Sequence, residues 1–198
     1  TILEDASEAL GSTYKNKHAG TFGKAGVLSF NGNKIITSAS GGVILTNNKS
    51  LANQIRHTSS TARVRKSWEF YHNEIGFNYR MPNLNAALGV SQLNKLNFYI
   101  KKKIDLFIKY SKIFKSTTCF DILKEPKNCR SNYWLQAIVL NKKNFNKRKK
   151  IILFFQLKNI EFRPVWKTLP SLSFLKKYPK MKITEAYKLE KKIINIPS

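Results

Sequence analysis

The spacing of apolar residues changes near residue 83 of this 198-residue chain, and this change constrains the fold more than any other feature. In the first 46 residues the apolar residues form short runs of strand length, as at 25–30 and 43–46. Over about 83–114 they recur every three or four residues, which is the spacing of a long amphipathic helix. A helix of this length would be long enough to leave one domain and enter another.

Local signals predict further elements in both halves of the chain. In the first half we predict a strand that ends at residue 3 and a helical turn over 6–10 that Gly11 stops. A hairpin should join 34–37 to 43–46 through a glycine-rich turn. We then predict a helix over 51–56 with Ser50 as its N-cap, and a polar loop over 58–67. In the second half we predict strands over 133–140 and 160–164 and helices over 148–157 and 186–192.

The net charge of +25 has two explanations. One is a module that binds nucleic acid or another anionic polymer, because dense positive charge releases counterions. The other is coding bias with solvated helix faces, since the chain has 29 lysines and 19 asparagines but only seven arginines. Groove-reading modules depend on arginine, and the lysines are dispersed. We favour the second explanation and expect no nucleic-acid partner.

Several classes of protein are not indicated by the sequence. No apolar run approaches the roughly 18 residues that a membrane-spanning helix needs, and the first residues carry no signal-peptide pattern. Cys119 and Cys129 lie ten residues apart without a CxxC motif or a histidine pair. We interpret them as free thiols of a cytoplasmic protein rather than as metal ligands.

Lys34 follows a short strand, with Ser29 five residues and Asp5 twenty-nine residues before it. Pyridoxal phosphate (PLP) enzymes need such a set: a lysine that forms a Schiff base, a carboxylate that keeps the ring nitrogen protonated, and a short donor for the phosphate. On its own the set is weak in so lysine-rich a chain. Asp5 could instead cap a turn after the strand, and Lys34 could be a surface lysine.

Three motifs strengthen this interpretation because they occur in a fixed order. They are Glu-Asp-Ala-Ser-Glu-Ala-Leu-Gly at 4–11, Ser-Phe-Asn-Gly-Asn-Lys at 29–34 and Gly-Phe-Asn-Tyr-Arg-Met at 76–81. With them the chain resembles the C-terminal half of the DegT/StrS-type PLP-dependent sugar-nucleotide aminotransferases. Residues 31–37 and 163–167 are most similar to the branch that aminates UDP-linked 4-keto-6-deoxyhexoses on the way to nonulosonic acids such as legionaminic acid.

The resemblance implies the α/β fold of fold-type-I PLP transferases, without the N-terminal half. Residues 1–95 would end the large mixed-sheet domain and 96–198 would form a small C-terminal α/β domain, joined by one long helix over about 83–114. It also implies a homodimer with shared active sites. The isolated chain is expected to be inactive, because the other half would supply the phosphate loop and the aromatic residue that stacks on the cofactor.

The resemblance also assigns roles to seven residues. Lys34 would be the catalytic base and Schiff-base lysine, and the other cofactor contacts would be Asp5 at the ring nitrogen, Glu8 near the phenolic oxygen, Ser29 at the phosphate, and Asn78 at the phosphate of the neighbouring subunit. Arg163 and Trp166 would line the sugar-nucleotide site. No metal is implied.

The implied reaction transfers an amino group, from glutamate, to a nucleotide-linked 4-keto-6-deoxy sugar for lipopolysaccharide, other surface polysaccharide or nonulosonic acid synthesis. Two alternatives remain: the basic binding module described above, and a non-catalytic relic of the aminotransferase. The relic is suggested by departures from the family's usual pattern at Glu8, at Ala39 and Ser40 in the glycine-rich turn, and at Pro170.

Overall fold

The computed structural model describes residues 1–64 and 68–198 of the chain. They form two compact units. Unit 1 comprises Thr1–Lys101 and Pro126–Trp134, and unit 2 comprises Lys102–Glu125 and Leu135–Ser198. Each unit contains both helices and strands, as the α/β prediction requires. The division into domains at residue 95 stays a prediction about the whole protein.

The strands are β1 (Leu3–Asp5), β2 (Thr13–Tyr14), β3 (Lys17–His18), β4 (Ala25–Ser29), β5 (Gly42–Leu45), β6 (Phe120–Ile122), β7 (Cys129–Arg130), β8 (Gln136–Leu140), β9 (Arg163–Pro164) and β10 (Ile193–Ile196). The α-helices are α1 (Lys49–Thr58), α2 (Asn83–Leu93), α3 (Leu96–Ile113), α4 (Arg148–Gln156) and α5 (Thr184–Glu190). Short 3₁₀ helices cover Phe145–Lys147, Leu169–Ser171 and Ser173–Leu175.

The main sheet of unit 1 has the strand order β1-β4-β5. β1 runs parallel to β4, and β5 runs antiparallel to it. The predicted hairpin of 34–37 with 43–46 is therefore wrong, because β5 pairs with β4 and residues 30–41 form a loop. That loop is fixed at its base, where the amide of Phe30 donates to the carbonyl of Gly41 at 2.9 Å and the amide of Ser38 donates to the carbonyl of Phe30 at 3.0 Å.

A second sheet of unit 1, β3-β2-β7, joins distant parts of the chain. In it Thr13 pairs with His18 on one side and with Arg130 on the other. The pairing brings 129–130, and the residues that follow them, to the segment between β1 and β4. This position matters for the site described below.

The single helix predicted over 83–114 is two helices, α2 and α3, separated by Asn94 and Lys95. At the break the amide of Lys95 donates to the carbonyl of Gln92 at 3.0 Å, which is a bond to the third residue back instead of the fourth. This tighter turn interrupts the α-helical ladder. The apolar period itself continues through the break, and it therefore predicted one element.

Two boundaries near α1 also differ from the predictions. The N-cap is Asn48 rather than Ser50, because the Asn48 side chain accepts a hydrogen bond from the amide of Leu51 at 2.9 Å. After α1 the chain makes isolated β-bridges from Ser60 and Arg63. The end of the polar loop predicted over 58–67 lies outside the described residues.

Unit 2 contains a four-stranded sheet of order β6-β8-β10-β9, in which all neighbours are antiparallel. Six buried residues form its core: Ile138, Leu140, Ile152, Phe162, Ile194 and Ile196. Phe155 of α4 stacks on Phe162 with ring centroids 4.0 Å apart, so α4 packs on the sheet. β10 was not predicted, although Ile194 is fully buried in it.

Within the described ranges, none of the helices combines the length and the apolar character that a bilayer span requires. Cys119 and Cys129 are free thiols, as expected. Apart from residues 65–67, which are not described, no group of three or more His, Cys, Asp or Glu side chains is arranged to hold a metal ion.

Candidate active site

Asp5 is the last residue of β1 and lies opposite Val27 of the parallel strand β4. Carboxyl ends of parallel strands are where open α/β sheets bind ligands. Asp5 Oδ1 accepts hydrogen bonds from the Ser7 hydroxyl at 2.5 Å and from the Ser7 amide at 3.1 Å. These bonds, in that order, hold the pKa of Asp5 below its ordinary value, and the charge of Lys34 lowers it further. Asp5 is therefore ionised at neutral pH.

Lys34 lies in the loop that follows β4. Because β4 is parallel to β1, this loop starts at the end of the sheet where β1 also ends. Its Nζ donates to Glu8 Oε1 at 3.0 Å, and Glu8 belongs to the turn that follows Asp5. The Lys34 side chain is only 13% exposed, whereas that of Glu8 is 50% exposed. The Lys34 side chain is therefore more shielded from solvent than that of an ordinary surface lysine, and its chemical role stays a prediction.

A tryptophan that was predicted only as part of a strand contacts the same amine. Lys34 Nζ lies 4.3 Å from the ring centroid of Trp134, which is buried. The Trp134 Nε1–H donates to the carbonyl of Asn33 at 2.5 Å, so the ring is tied to the residue before Lys34. Local periodicity gives no sign of this contact, because the two residues are one hundred positions apart.

Asn132 explains how Trp134 reaches the site. The buried Asn132 side chain donates from Nδ2 to the carbonyls of Glu8 at 2.8 Å and Leu10 at 3.0 Å, and its Oδ1 accepts from the amide of Trp134 at 2.9 Å. Tyr133 between them has φ of 47°, in the left-handed region. The predicted strand over 133–140 therefore begins only at Gln136.

Glu4 supports the strand end from the other face of β1. Its carboxylate accepts hydrogen bonds from the amides of Gly20 at 2.7 Å and of Phe22 and Gly23 at 2.5 Å each. The bond from Gly23 is the main cause that lowers the pKa of Glu4. Three amide donors on one carboxylate fix the segment between β3 and β4. No role was predicted for Glu4.

Ser29 ends β4, and its Oγ accepts from the amide of Asn31 at 3.4 Å. Because β1 and β4 are parallel, their last residues, Asp5 and Ser29, lie at the same end of the sheet. Further along the loop Ala39 has φ of 68° and Gly41 has φ of 93°. Ala39, one of the departures from the family's usual glycine-rich turn, therefore holds its Cβ in the left-handed region, which destabilises the loop.

The other candidate residues have surroundings of their own. Asn78 is exposed, and its backbone forms a bridge with Ser60. Arg163 and Trp166 belong to unit 2, where Arg163 pairs with Glu161 and the Trp166 residue is 60% exposed. Their roles at a phosphate and at a sugar nucleotide stay predictions.

Comparison with known proteins identifies the class to which this arrangement belongs. The model of the DegT/DnrJ/EryC1/StrS aminotransferase family matches residues 1–198, the full chain. The chain belongs to this family. Its relatives include the putative pyridoxal phosphate-dependent aminotransferase EpsN of Bacillus subtilis, 37% identical over 168 residues, which are 85% of this chain and 42% of EpsN. GDP-perosamine synthase of Escherichia coli O157:H7 is 36% identical over 200 residues, covering 100% of this chain and 52% of that protein.

The fold agrees with this membership. The Helicobacter pylori aminotransferase PseC, involved in the biosynthesis of pseudoaminic acid, superposes with a TM-score of 0.92 and 30% identity, over 98% of this chain and 53% of PseC. The predicted fold type, that of the fold-type-I PLP-dependent sugar aminotransferases, is confirmed. The chain spans about half the length of the relatives that it matches.

The residues at the sheet edge fit the cofactor of this family. Asp5 is an ionised carboxylate, as a protonated ring nitrogen requires, and both hydrogen bonds from Ser7 end on its Oδ1. Lys34 presents a primary amine whose charge acts on Asp5, and Ser29 ends the neighbouring strand. Together they offer a carboxylate, an amine and a hydroxyl at one end of the sheet, which are the groups that PLP needs.

Proposed function

We propose that this chain is part of a PLP-dependent aminotransferase that acts on a nucleotide-linked 4-keto-6-deoxy sugar. The observation that carries the proposal is the placement of Lys34, a largely buried amine beside the ionised Asp5 at the carboxyl end of parallel strands. Family membership supports the reaction class. The names of relatives, GDP-perosamine synthase and UDP-4-amino-4,6-dideoxy-N-acetyl-beta-L-altrosamine transaminase, support a sugar nucleotide as the substrate.

PLP, when bound, supplies an electron sink for the carbon that exchanges its amino group. Asp5 would hold the proton on the cofactor's ring nitrogen, since a carboxylate with a lowered pKa favours a cation beside it. Lys34 would bind the cofactor covalently through Nζ and, when released, carry a proton to and from the substrate carbon. Ser29 would donate its hydroxyl hydrogen to the phosphate. Glu8 would orient Nζ through its 3.0 Å contact.

Finer features of the function are proposals of the same kind. Glutamate as amino donor, a homodimer in which Asn78 reaches the neighbouring phosphate, and Arg163 with Trp166 at the nucleotide sugar all follow from the family resemblance. A lipopolysaccharide or nonulosonic acid product and a cytoplasmic location are expected on the same ground.

The decisive experiment compares Lys34→Ala with Lys24→Ala, an exposed lysine of the same unit, in the intact protein that contains this chain. After incubation with PLP and reduction with borohydride, we expect a pyridoxyl adduct at Lys34 in the wild type and in Lys24→Ala, and none in Lys34→Ala. Amino transfer from glutamate to a UDP-linked 4-keto-6-deoxyhexose should follow the same pattern. Unchanged turnover in Lys34→Ala would refute the assignment, and a wild type with neither adduct nor turnover would favour the relic.

A further inference from the structure

Within the described residues, the Lys34 amine contacts two side chains of different chemistry. One is the Glu8 carboxylate at 3.0 Å, and the other is the face of the Trp134 indole, whose centroid lies 4.3 Å from Nζ. Only the second neighbour is buried. We propose that the indole face of Trp134 binds the free Lys34 amine through a cation–π contact, and that Trp134 is therefore a positioning residue for this amine. The inference rests on the proposed function only in giving that amine a reaction.

The indole is held in place by hydrogen bonds, as a group that positions an amine must be. Its Nε1–H is bonded to the carbonyl of Asn33, directly before Lys34, and its backbone amide is bonded to the Asn132 side chain. Asn132 is in turn bonded to the carbonyls of Glu8 and Leu10. The ring is therefore fixed both to the loop that carries the amine and to the turn that carries the carboxylate.

The two contacts differ in strength because they differ in exposure. An ion pair with a half-exposed carboxylate such as Glu8 changes the population of a side-chain position by at most about fivefold, since solvent screens it. A cation on the face of a desolvated tryptophan changes that population by up to about thirtyfold. On these magnitudes Trp134 contributes more than Glu8 to holding the amine in one place.

A fixed amine has a consequence for the reaction. Lysine has four rotatable bonds, and a free amine explores many positions unless a contact selects one. The ring holds Nζ in one position, so the amine stays at the site during the part of the cycle in which Lys34 is not covalently bound. Restricting a reacting group to one position lowers the entropy cost of proton transfer without a new chemical group.

The experiment measures the chemical reactivity of the amine in the cofactor-free intact protein without substrate. N-hydroxysuccinimidyl acetate is added, and the acetylation rate of Lys34 is followed by mass spectrometry against that of Lys24 in the same molecule. Trp134→Leu should raise the Lys34 rate roughly tenfold, and Trp134→Phe, which keeps an aromatic face, should stay within about threefold of wild type. Trp68→Leu is the matched control, because Trp68 is 90% exposed, and it should change nothing.

Three results would overturn the proposal. The first is an unchanged Lys34 rate in a Trp134→Leu protein with the wild-type circular dichroism spectrum. The second is an equal rise in Trp134→Phe and Trp134→Leu, since this would assign the effect to the Nε1 bond and not to the ring face. The third result does not depend on whether Trp134→Leu folds. It is a rise of more than about fivefold in the Lys34 acetylation rate of Glu8→Gln, together with a wild-type rate in Trp134→Phe. Turnover is not part of this readout, so failure of the proposed function would leave its outcome unchanged.

Discussion

Glu190, at the end of α5, is a buried carboxylate whose charge should stabilise unit 2. Its Oε2 accepts from the amide and the hydroxyl of Thr168, both at 2.9 Å, and its Oε1 accepts from Lys167 Nζ at 3.0 Å. The Thr168 amide bond first, then the Lys167 bond, lower the pKa of Glu190 from 4.5 to about 2. Glu190→Gln tests this contribution, because it keeps the shape of the side chain and removes its charge.

The difference between 4.5 and about 2 corresponds to about 3 kcal/mol of stability at neutral pH. Lys167 is 67% exposed, so solvent screens its share, and we expect a loss of about 2 kcal/mol in Glu190→Gln. The pKa is lower in the folded state, so the contribution is complete above pH 4.5 and is lost as the pH falls toward about 2. At pH 3 less than about half of it should remain.

The assay is urea unfolding at 25 °C, at pH 7 and at pH 3, for wild type, Glu190→Gln and Glu185→Gln. Glu185 is the matched control, because it is an exposed carboxylate of the same helix paired only with Lys188 in the described contacts, and its substitution should cost under about 0.5 kcal/mol. Equal destabilisation of Glu190→Gln at both pH values would refute the argument, because it would assign the effect to packing rather than to charge.

Two further predictions concern unit 1. Ala39→Gly should stabilise the protein by about 0.5 to 1 kcal/mol, because relief of an alanine at φ of 68° exceeds the added entropy of the unfolded chain; thermal unfolding checks this, and a lower melting temperature would contradict it. Asp5→Asn should retain PLP binding but lower kcat by about a hundredfold or more, because the amide cannot keep the ring nitrogen protonated; weakened PLP binding with normal kcat would instead make Asp5 a positioning residue.

Local sequence determined several parts of this protein. The apolar run at 25–30 is a strand and the periodic segment at 148–157 is a helix, because alternation and helical spacing are properties of neighbouring residues. The motif at 29–34 begins with Ser29, the last residue of that strand, and ends with Lys34 in the loop that follows. The motif at 4–11 contains Asp5, which is the last residue of β1 although the strand was predicted to end at residue 3. In the structure Lys34 pairs with Glu8, and its charge acts on Asp5, so the three side chains lie near the same end of the sheet. Their chemical roles stay predictions.

The tertiary structure alone decided which distant segments meet. β5 pairs with β4 rather than with 34–37, and β10 takes a central place in its sheet although it is only four residues long. Trp134 reaches Lys34 because the buried Asn132 bonds to the turn after β1, more than 120 residues away. Such contacts have no local period, since they depend on which polar groups of remote segments are buried together and must satisfy each other.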